Sequence, residues 1–289
     1  MAKLGVITDG ISRDFEHALS VTKEAGLEYA ELQFLWDKEV GDLDDGELSR
    51  AQSLLEQYEL GVSCISRHNF VGMLVGDTEV GDANHRKHLD STKRCIDMAK
   101  AVGAEMVRIM SFRREMILFG KGGAEHWVTN RTAWGKLLQL LEAPVQLAED
   151  EGMDLVLETG NNAMVTSGFL GRKLIDDMGS KRLKILWDPA NSLYACEPTH
   201  PDGYRALGVD GIGHIHMKDA RVDMPKSTVE FCELGAGDMA PYLEPLAADL
   251  KKDGYDGHVS LESVYGVGGD DFEAGFRASV TRFKELFGD

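Results

Sequence analysis

Cysteine is scarce and scattered in this chain: Cys64, Cys95, Cys196 and Cys232 are the only four, and none falls in a Cys-x-x-Cys pair. That spacing excludes a dense disulfide framework and argues against a structural zinc site. No apolar run approaches the roughly 18 residues of a membrane-spanning helix. Basic residues are in deficit, 31 against 49 acidic ones, for a formal net charge of −18. A surface that negative repels nucleic acid and anionic membranes, so neither is an expected partner. The segment from Met1 to Thr8 enters a strand pattern with no leading apolar stretch, which makes a cytoplasmic location the expectation. The turn after that strand, Thr8 to Ser12, lacks the glycine-rich signature of a nucleotide-binding fold. No linker or low-complexity segment divides the chain.

What is present is one unit used repeatedly. An amphipathic stretch closes at a glycine, and a β-rich run begins shortly afterwards. Gly26 leads into residues 29–34, Gly61 into 62–65, Gly103 into 106–110, Gly152 into 155–157 and Gly254 into 258–261. Glycine suits the left-handed position just past a helix, and a short loop then feeds the next strand. Residues 4–7, 183–187 and 212–216 complete eight candidate strands. Helical spacing fills the gaps, as in Leu48, Ala51, Leu54, Leu55 and Tyr58, or Leu137, Leu140, Leu141, Val145 and Leu147. Pro144 lies inside the second set and should kink or split that helix. Eight strands alternating with helices predict an α/β protein, a single-domain (β/α)8 TIM barrel spanning residues 1–289. An open doubly wound sheet is the alternative, and it would call for the nucleotide turn that is missing.

Four of these strands end in a residue able to bind a metal: Glu158, Asp188, His216 and Glu262. In a parallel α/β protein the C-terminal strand ends surround one crevice. Alone, each residue has an ordinary explanation. A carboxylate at a strand end often caps a helix, and a barrel histidine is often hydrogen-bonded. Together, on the fifth to eighth strands, they can surround one ion, because neighbouring strands lie about 5 Å apart. Three oxygens and one nitrogen, with no thiolate, favour one divalent ion: Mn²⁺ or Mg²⁺, with Co²⁺ or Zn²⁺ as alternatives. Alternation puts His214, His216 and Lys218 on one face of the seventh strand. Glu31 and Arg108 are expected to point inward as well, as an ion pair beneath the site.

Glu158 after its apolar run, the turn from Asp188 to Asn191, His214 to Asp219, Gly235 to Asp238 and Leu261-Glu262 together resemble the sugar phosphate isomerase/epimerase family of xylose isomerase-like TIM barrels. The resemblance spans nearly the whole chain and implies a metal-dependent isomerase or epimerase. It implies Glu158, Asp188, His216 and Glu262 as metal ligands, with the second histidine of the His-x-His motif chosen over the first. Glu158 and Glu262 are implied as the acid/base pair as well. Asn191 stands where several ketose epimerases carry a substrate-binding histidine, a departure that bears on substrate. The chemistry is proton abstraction beside a carbonyl, with the ion stabilising the enediolate.

Other candidates for substrate contact are His68, Asn161, Lys218, Asp219, Arg221 and Arg108. Trp36, Phe70 and Trp127 offer an apolar wall or plain packing. Gly235 to Asp238 reads as a tight turn with Asp238 capping the next helix; no basic residue accompanies it, which favours an unphosphorylated sugar or keto-sugar. A lyase, dehydratase or keto-glycoside-cleaving enzyme would use the same site. A non-catalytic sugar-binding subunit is the alternative of another kind, and assembly as a homo-oligomer is left open.

Overall fold

The computed structural model describes residues 2–114, 131–195 and 197–288. Eight parallel strands close on themselves: β1 (Lys3–Ile7), β2 (Tyr29–Leu32), β3 (Gly61–Ile65), β4 (Met106–Met110), β5 (Asp154–Glu158), β6 (Leu183–Trp187), β7 (Ile212–Met217) and β8 (His258–Leu261). Each pairs with its neighbour in sequence, and β8 returns to β1 with Lys3 opposite His258. Closure sets the open sheet aside. It is the (β/α)8 barrel that the sequence predicts.

Among the described residues the α-helices are α1 (Phe15–Glu24), α2 (Asp45–Tyr58), α3 (Ala83–Val102), α4 (Arg131–Glu151), α5 (Gly168–Met178), α6 (Pro189–Tyr194), α7 (Tyr204–Leu207), α8 (Ala240–Lys252) and α9 (Phe272–Phe287). Short polar residues start several of them by accepting a free backbone N–H. In α2, Asp44 and Glu47 form a reciprocal capping box. Of the two outcomes expected at Pro144, splitting does not occur: α4 runs through it as one helix. Leu137, Leu140, Leu141 and Val145 are buried on its inner face, and that packing outweighs one lost hydrogen bond.

Four of the five glycines at the αβ junctions are left-handed, Gly26, Gly103, Gly152 and Gly254, with φ from 67° to 75°. Gly61 is different. Glu59 takes the left-handed turn instead, with φ 51°. Gly61 opens β3, where a Cβ would come within 2.7 Å of the Tyr29 ring. The second strand is also shorter than the sequence pattern. Its register shifts between Ala30 and Leu32, it stops at Leu32, and Phe34 pairs instead with Glu39 in a small hairpin.

Two layers of burial follow from strand alternation. The larger core lies between strands and helices. Inside the barrel, Cys64, Met106, Val156 and Leu186 form a small apolar plug. Polar residues also face inward: Glu31, Arg108, Glu158, His214, His216 and Ser260 are all buried. A filled barrel does not need them, so their function is sought at the mouth. A second hairpin, Asp219–Asp223 with Thr228–Cys232, rises from the end of β7.

Candidate metal centre

Glu158 closes β5, and Asp188 follows β6, where its Oδ1 accepts the Asn191 backbone N–H at 3.1 Å and so starts α6. His216 faces inward from β7. Glu262 follows β8, fixed by its own N–H donating to the Met217 carbonyl at 2.9 Å. One ligand-type atom from each of the four lies within 4.8 Å of the other three. Bonds from divalent ions to oxygen and nitrogen measure about 2.0–2.6 Å, so a single ion can reach all four. His216 Nδ1 is buried and makes no hydrogen bond; it faces Glu158 Oε1 and Glu262 Oε2 at 3.6 Å each. That separation is too long for a hydrogen bond and suits an ion held between the three groups. The residues therefore fit a divalent cation.

Two fixed cations brace the carboxylates. Arg108 Nη1 donates to Glu158 Oε2 at 2.8 Å. Lys218 Nζ bridges Asp188 Oδ2 at 2.5 Å and Glu262 Oε2 at 2.7 Å. Three carboxylates stand against two permanent cations, so the cluster is net negative in the state that would hold a cation, with His216 neutral and the carboxylates ionised. Burial pushes Glu158 upward, but Arg108 and His216 outweigh it and hold the group below the usual carboxylate range. Burial works the same way on Glu262, and Lys218 and His216 lower it. Both glutamates are thus ionised and able to accept a proton. Burial pushes Asp188 up to about 7 against the pull of Lys218, with Glu262 and Glu158 adding to the rise. Burial lowers His216, yet Glu31, Glu158 and Glu262 together raise it well above its usual value. An incoming ion would displace that proton.

Beneath the cluster lies Glu31, fully buried. Its Oε1 accepts from His216 Nε2 at 2.8 Å, and its Oε2 from His214 Nε2 at 2.7 Å. Ser66 also donates to it. With its Nε2–H committed to Glu31, a neutral His216 presents the Nδ1 lone pair to the cluster. The expected Glu31–Arg108 ion pair is therefore not the pairing formed. Glu31 takes the two histidines, and Arg108 takes Glu158 on the adjacent strand. Arg108 Nη2 also donates to the Ser66 carbonyl and, at 3.4 Å, to Gln33. Glu31, His214 and His216 form a second group of potential ligands, but hydrogen bonds already use Glu31 Oε1 and Oε2 and Nε2 of both histidines.

The remaining candidates are dispersed. Asn191 donates its amide to the Thr159 carbonyl at 2.8 Å, beside the cluster. Asn161 is exposed in the loop after β5. His68 Nδ1 lies 3.3 Å from Glu39, whose carboxylate also accepts the His68 backbone N–H. Arg221 is exposed on the hairpin and donates to the Ala236 carbonyl. Asp219 does not offer its carboxylate to the mouth. It accepts the backbone N–H groups of Ala220, Gly235, Gly237 and Met239. Asp219, rather than Asp238, therefore ties down the approach to α8; the Asp238 carboxylate accepts from Val222 on the hairpin. Trp36 packs edge-on against Phe15 at 5.6 Å, and Phe70 stacks on Phe112 at 4.9 Å, so both belong to packing. Trp127 lies outside the described residues.

The family model of xylose isomerase-like TIM barrels matches residues 19–286. A fructoselysine 3-epimerase of Shigella flexneri is 26% identical over 274 residues, covering 91% of this chain and 90% of the relative. The crystal structure of D-psicose 3-epimerase in the presence of D-fructose gives a TM-score of 0.73 at 15% identity, covering 99% of this chain and 100% of that one. A xylose isomerase-like TIM barrel protein from Mycobacterium smegmatis in complex with magnesium gives 0.68 at 16% identity, covering 99% and 96%. At such identity the two structures speak for the fold alone. The chain belongs to the xylose isomerase-like TIM barrel family, and the relative from Shigella flexneri that it resembles in sequence is an epimerase.

Proposed function

We propose that this protein is a divalent-metal-dependent isomerase or epimerase of a small keto-sugar. In this reading Glu158, Asp188, His216 and Glu262 hold the ion, and Glu158 and Glu262 move the proton. The observation that carries it is the meeting of four ligand atoms within 4.8 Å of one another, with His216 Nδ1 buried and unbonded among the carboxylates. The name of the Shigella flexneri relative supports the reaction class, and the donor set itself supports the cofactor class. Oxygen-rich ligation favours Mn²⁺ or Mg²⁺ over Co²⁺ or Zn²⁺.

When bound, the ion supplies Lewis-acid polarisation of the substrate's oxygens. The protein does the rest. Glu158 from β5 and Glu262 from β8 approach from strands three apart around the ring, so they can address opposite faces of a planar carbon. One takes the proton beside the carbonyl; the other returns one, which inverts that centre. Arg108 and Lys218 keep both glutamates ionised. Lys218, at the rim of the cluster, is the substrate contact best placed to donate to a sugar oxygen, and Asn191 is the next.

The test is a panel of ketoses, inososes and 3-keto sugars given to the Mn²⁺-loaded protein, with products separated and weighed by mass spectrometry. A stereoisomer or positional isomer of unchanged mass is expected. Loss of water or an alcohol would replace this reading with a lyase. Binding without conversion of any compound would replace it with a sugar-binding subunit.

A further inference from the structure

The hairpin that rises from the end of β7 carries an apolar face. Ala220 pairs with Phe231, and Val222 with Val229. Side chains of directly paired residues, and of residues two apart, share one face of a hairpin. Ala220, Val222, Val229 and Phe231 therefore lie together, with Arg221 and Glu230 on the opposite face. Phe231 is 37% exposed and Val229 39%, and neither belongs to the hydrophobic core. Contiguous apolar side chains left uncovered mark a surface that binds something.

Position identifies what covers it. The Lys218 ammonium lies over the Phe231 ring, 6.0 Å from its centroid. The same ammonium bridges Asp188 and Glu262, two of the four candidate ion ligands. One side chain thus separates the exposed ring from the metal centre. Small-molecule sites combine apolar and aromatic walls with a few placed polar groups. The cluster supplies the polar groups, and the hairpin supplies apolar surface beside them. A sugar presents both kinds of surface, hydroxyls at its edge and C–H groups on its faces.

We propose that Phe231, with Val229 beside it, is the apolar wall of the substrate site and receives the C–H face of the keto-sugar. This rests on the keto-sugar reading above and adds a residue that sets specificity. The sugar's oxygens turn to the cluster while its carbons lie on the ring. The wall has no spare cation for a phosphate. Two carboxylates already hold Lys218, Arg221 is on the far face, and Lys226 at the tip pairs with Asp223. A phosphate set against this face would lose water without gaining a partner, so phosphorylated sugars are disfavoured.

The experiment uses the Mn²⁺-loaded protein and the compound of the panel above that it binds most tightly. Phe231→Ala, Phe231→Leu and Met224→Ser, the last an exposed change at the hairpin tip, are compared with the parent. Phe231→Ala should raise KM about tenfold with kcat nearly unchanged, the signature of lost binding common to substrate and transition state. Calorimetry should show Kd for the compound weakening in proportion and Mn²⁺ affinity unmoved. Phe231→Leu should recover part of the loss, and Met224→Ser should match the parent. The phosphate ester of the compound should bind the parent more weakly than the compound itself, and Phe231→Ala should narrow that gap. Unchanged KM and Kd in Phe231→Ala overturn the inference and leave the keto-sugar reading intact. A loss confined to kcat or to Mn²⁺ affinity also overturns it, since the ring would then act by holding Lys218. A smaller assembly in sedimentation of Phe231→Ala overturns it in favour of contact between copies of the chain. Binding without conversion sinks the isomerase reading alone, and Kd then tests the wall. Failure of the parent to bind or convert any compound of the panel overturns both.

Discussion

Replacing Glu31 separates two tasks that its carboxylate performs beneath the metal centre: fixing the His216 tautomer and supplying negative charge. The carboxylate is wholly buried and accepts from His214 Nε2, His216 Nε2 and Ser66. In Glu31→Ala both imidazoles lose their buried acceptor. Breaking a buried charged contact of this kind costs about 3–5 kcal/mol. Freeing a ligand histidine costs about 10–100-fold in metal affinity. Glu31→Gln should behave differently. Its amide oxygen can accept from His216 Nε2–H while its NH₂ donates to Nε2 of His214. His214 can then donate through Nδ1 to the His258 carbonyl, 3.1 Å away. Every partner stays satisfied, and His216 still presents Nδ1 to the cluster. Calorimetric titration with Mn²⁺ should therefore place the Gln variant within about tenfold of the parent and the Ala variant at the larger loss. The ¹⁵N shifts of the imidazoles should report the Nε2–H form of His216 in the parent and the Gln variant alike. A Gln variant as weak as the Ala variant would mean that charge, not tautomer, is what Glu31 provides. An Ala variant with parental affinity would refute the positioning role altogether.

Three further outcomes follow from the geometry. His216→Ala should reduce Mn²⁺ affinity far more than His214→Ala, since His214 has both nitrogens in hydrogen bonds below the cluster; equal losses by calorimetry would mean the wrong histidine is assigned. Asp219→Ala removes four backbone contacts to a buried charge and should cost at least about 3 kcal/mol in urea denaturation; a loss under 1 kcal/mol, on the order of an exposed bond, would contradict the anchoring role. Burial holds His258 down to about 3, well below its unfolded value. Below pH about 6.5 the unfolded chain then takes up a proton that the folded chain refuses, so stability falls as pH drops. At about 1.4 kcal/mol per unit this approaches 2 kcal/mol by pH 5, and His258→Gln should flatten the dependence; an identical slope in the variant would assign it to other groups.

The barrel was legible because its repeat is local: a glycine, a short loop and a β-rich run recur along the chain, and each depends on neighbours in sequence. The four cluster residues were legible for a related reason. Each ends a strand, and the barrel brings strand ends together whatever the side chains beneath them do. Pairings inside the barrel were not legible, because they depend on reach across it. Glu31 on β2 meets two histidines from β7, and Arg108 prefers Glu158 on the adjoining strand to Glu31 beyond β3. Asp219 looked like a mouth residue from its position after His216. Its hydrogen-bond partners lie up to 20 residues onward, and only the fold of the hairpin brings them back. Gly61 resembled the other junction glycines in sequence, while the Tyr29 ring, not the left-handed turn, is what demands glycine there.

The most direct measurement is hydrogen exchange in D₂O, followed by NMR, with the Mn²⁺-loaded protein and a keto-sugar that it converts. Deuterium should enter at the carbon beside the carbonyl in step with isomer formation. Glu158→Gln and Glu262→Gln should each retain metal and lose about 10²–10⁴-fold in turnover, with exchange falling in parallel for the glutamate that abstracts the proton. Conversion without deuterium incorporation or intramolecular hydrogen transfer, or a double Gln variant that holds metal and turns over normally, would place the chemistry elsewhere.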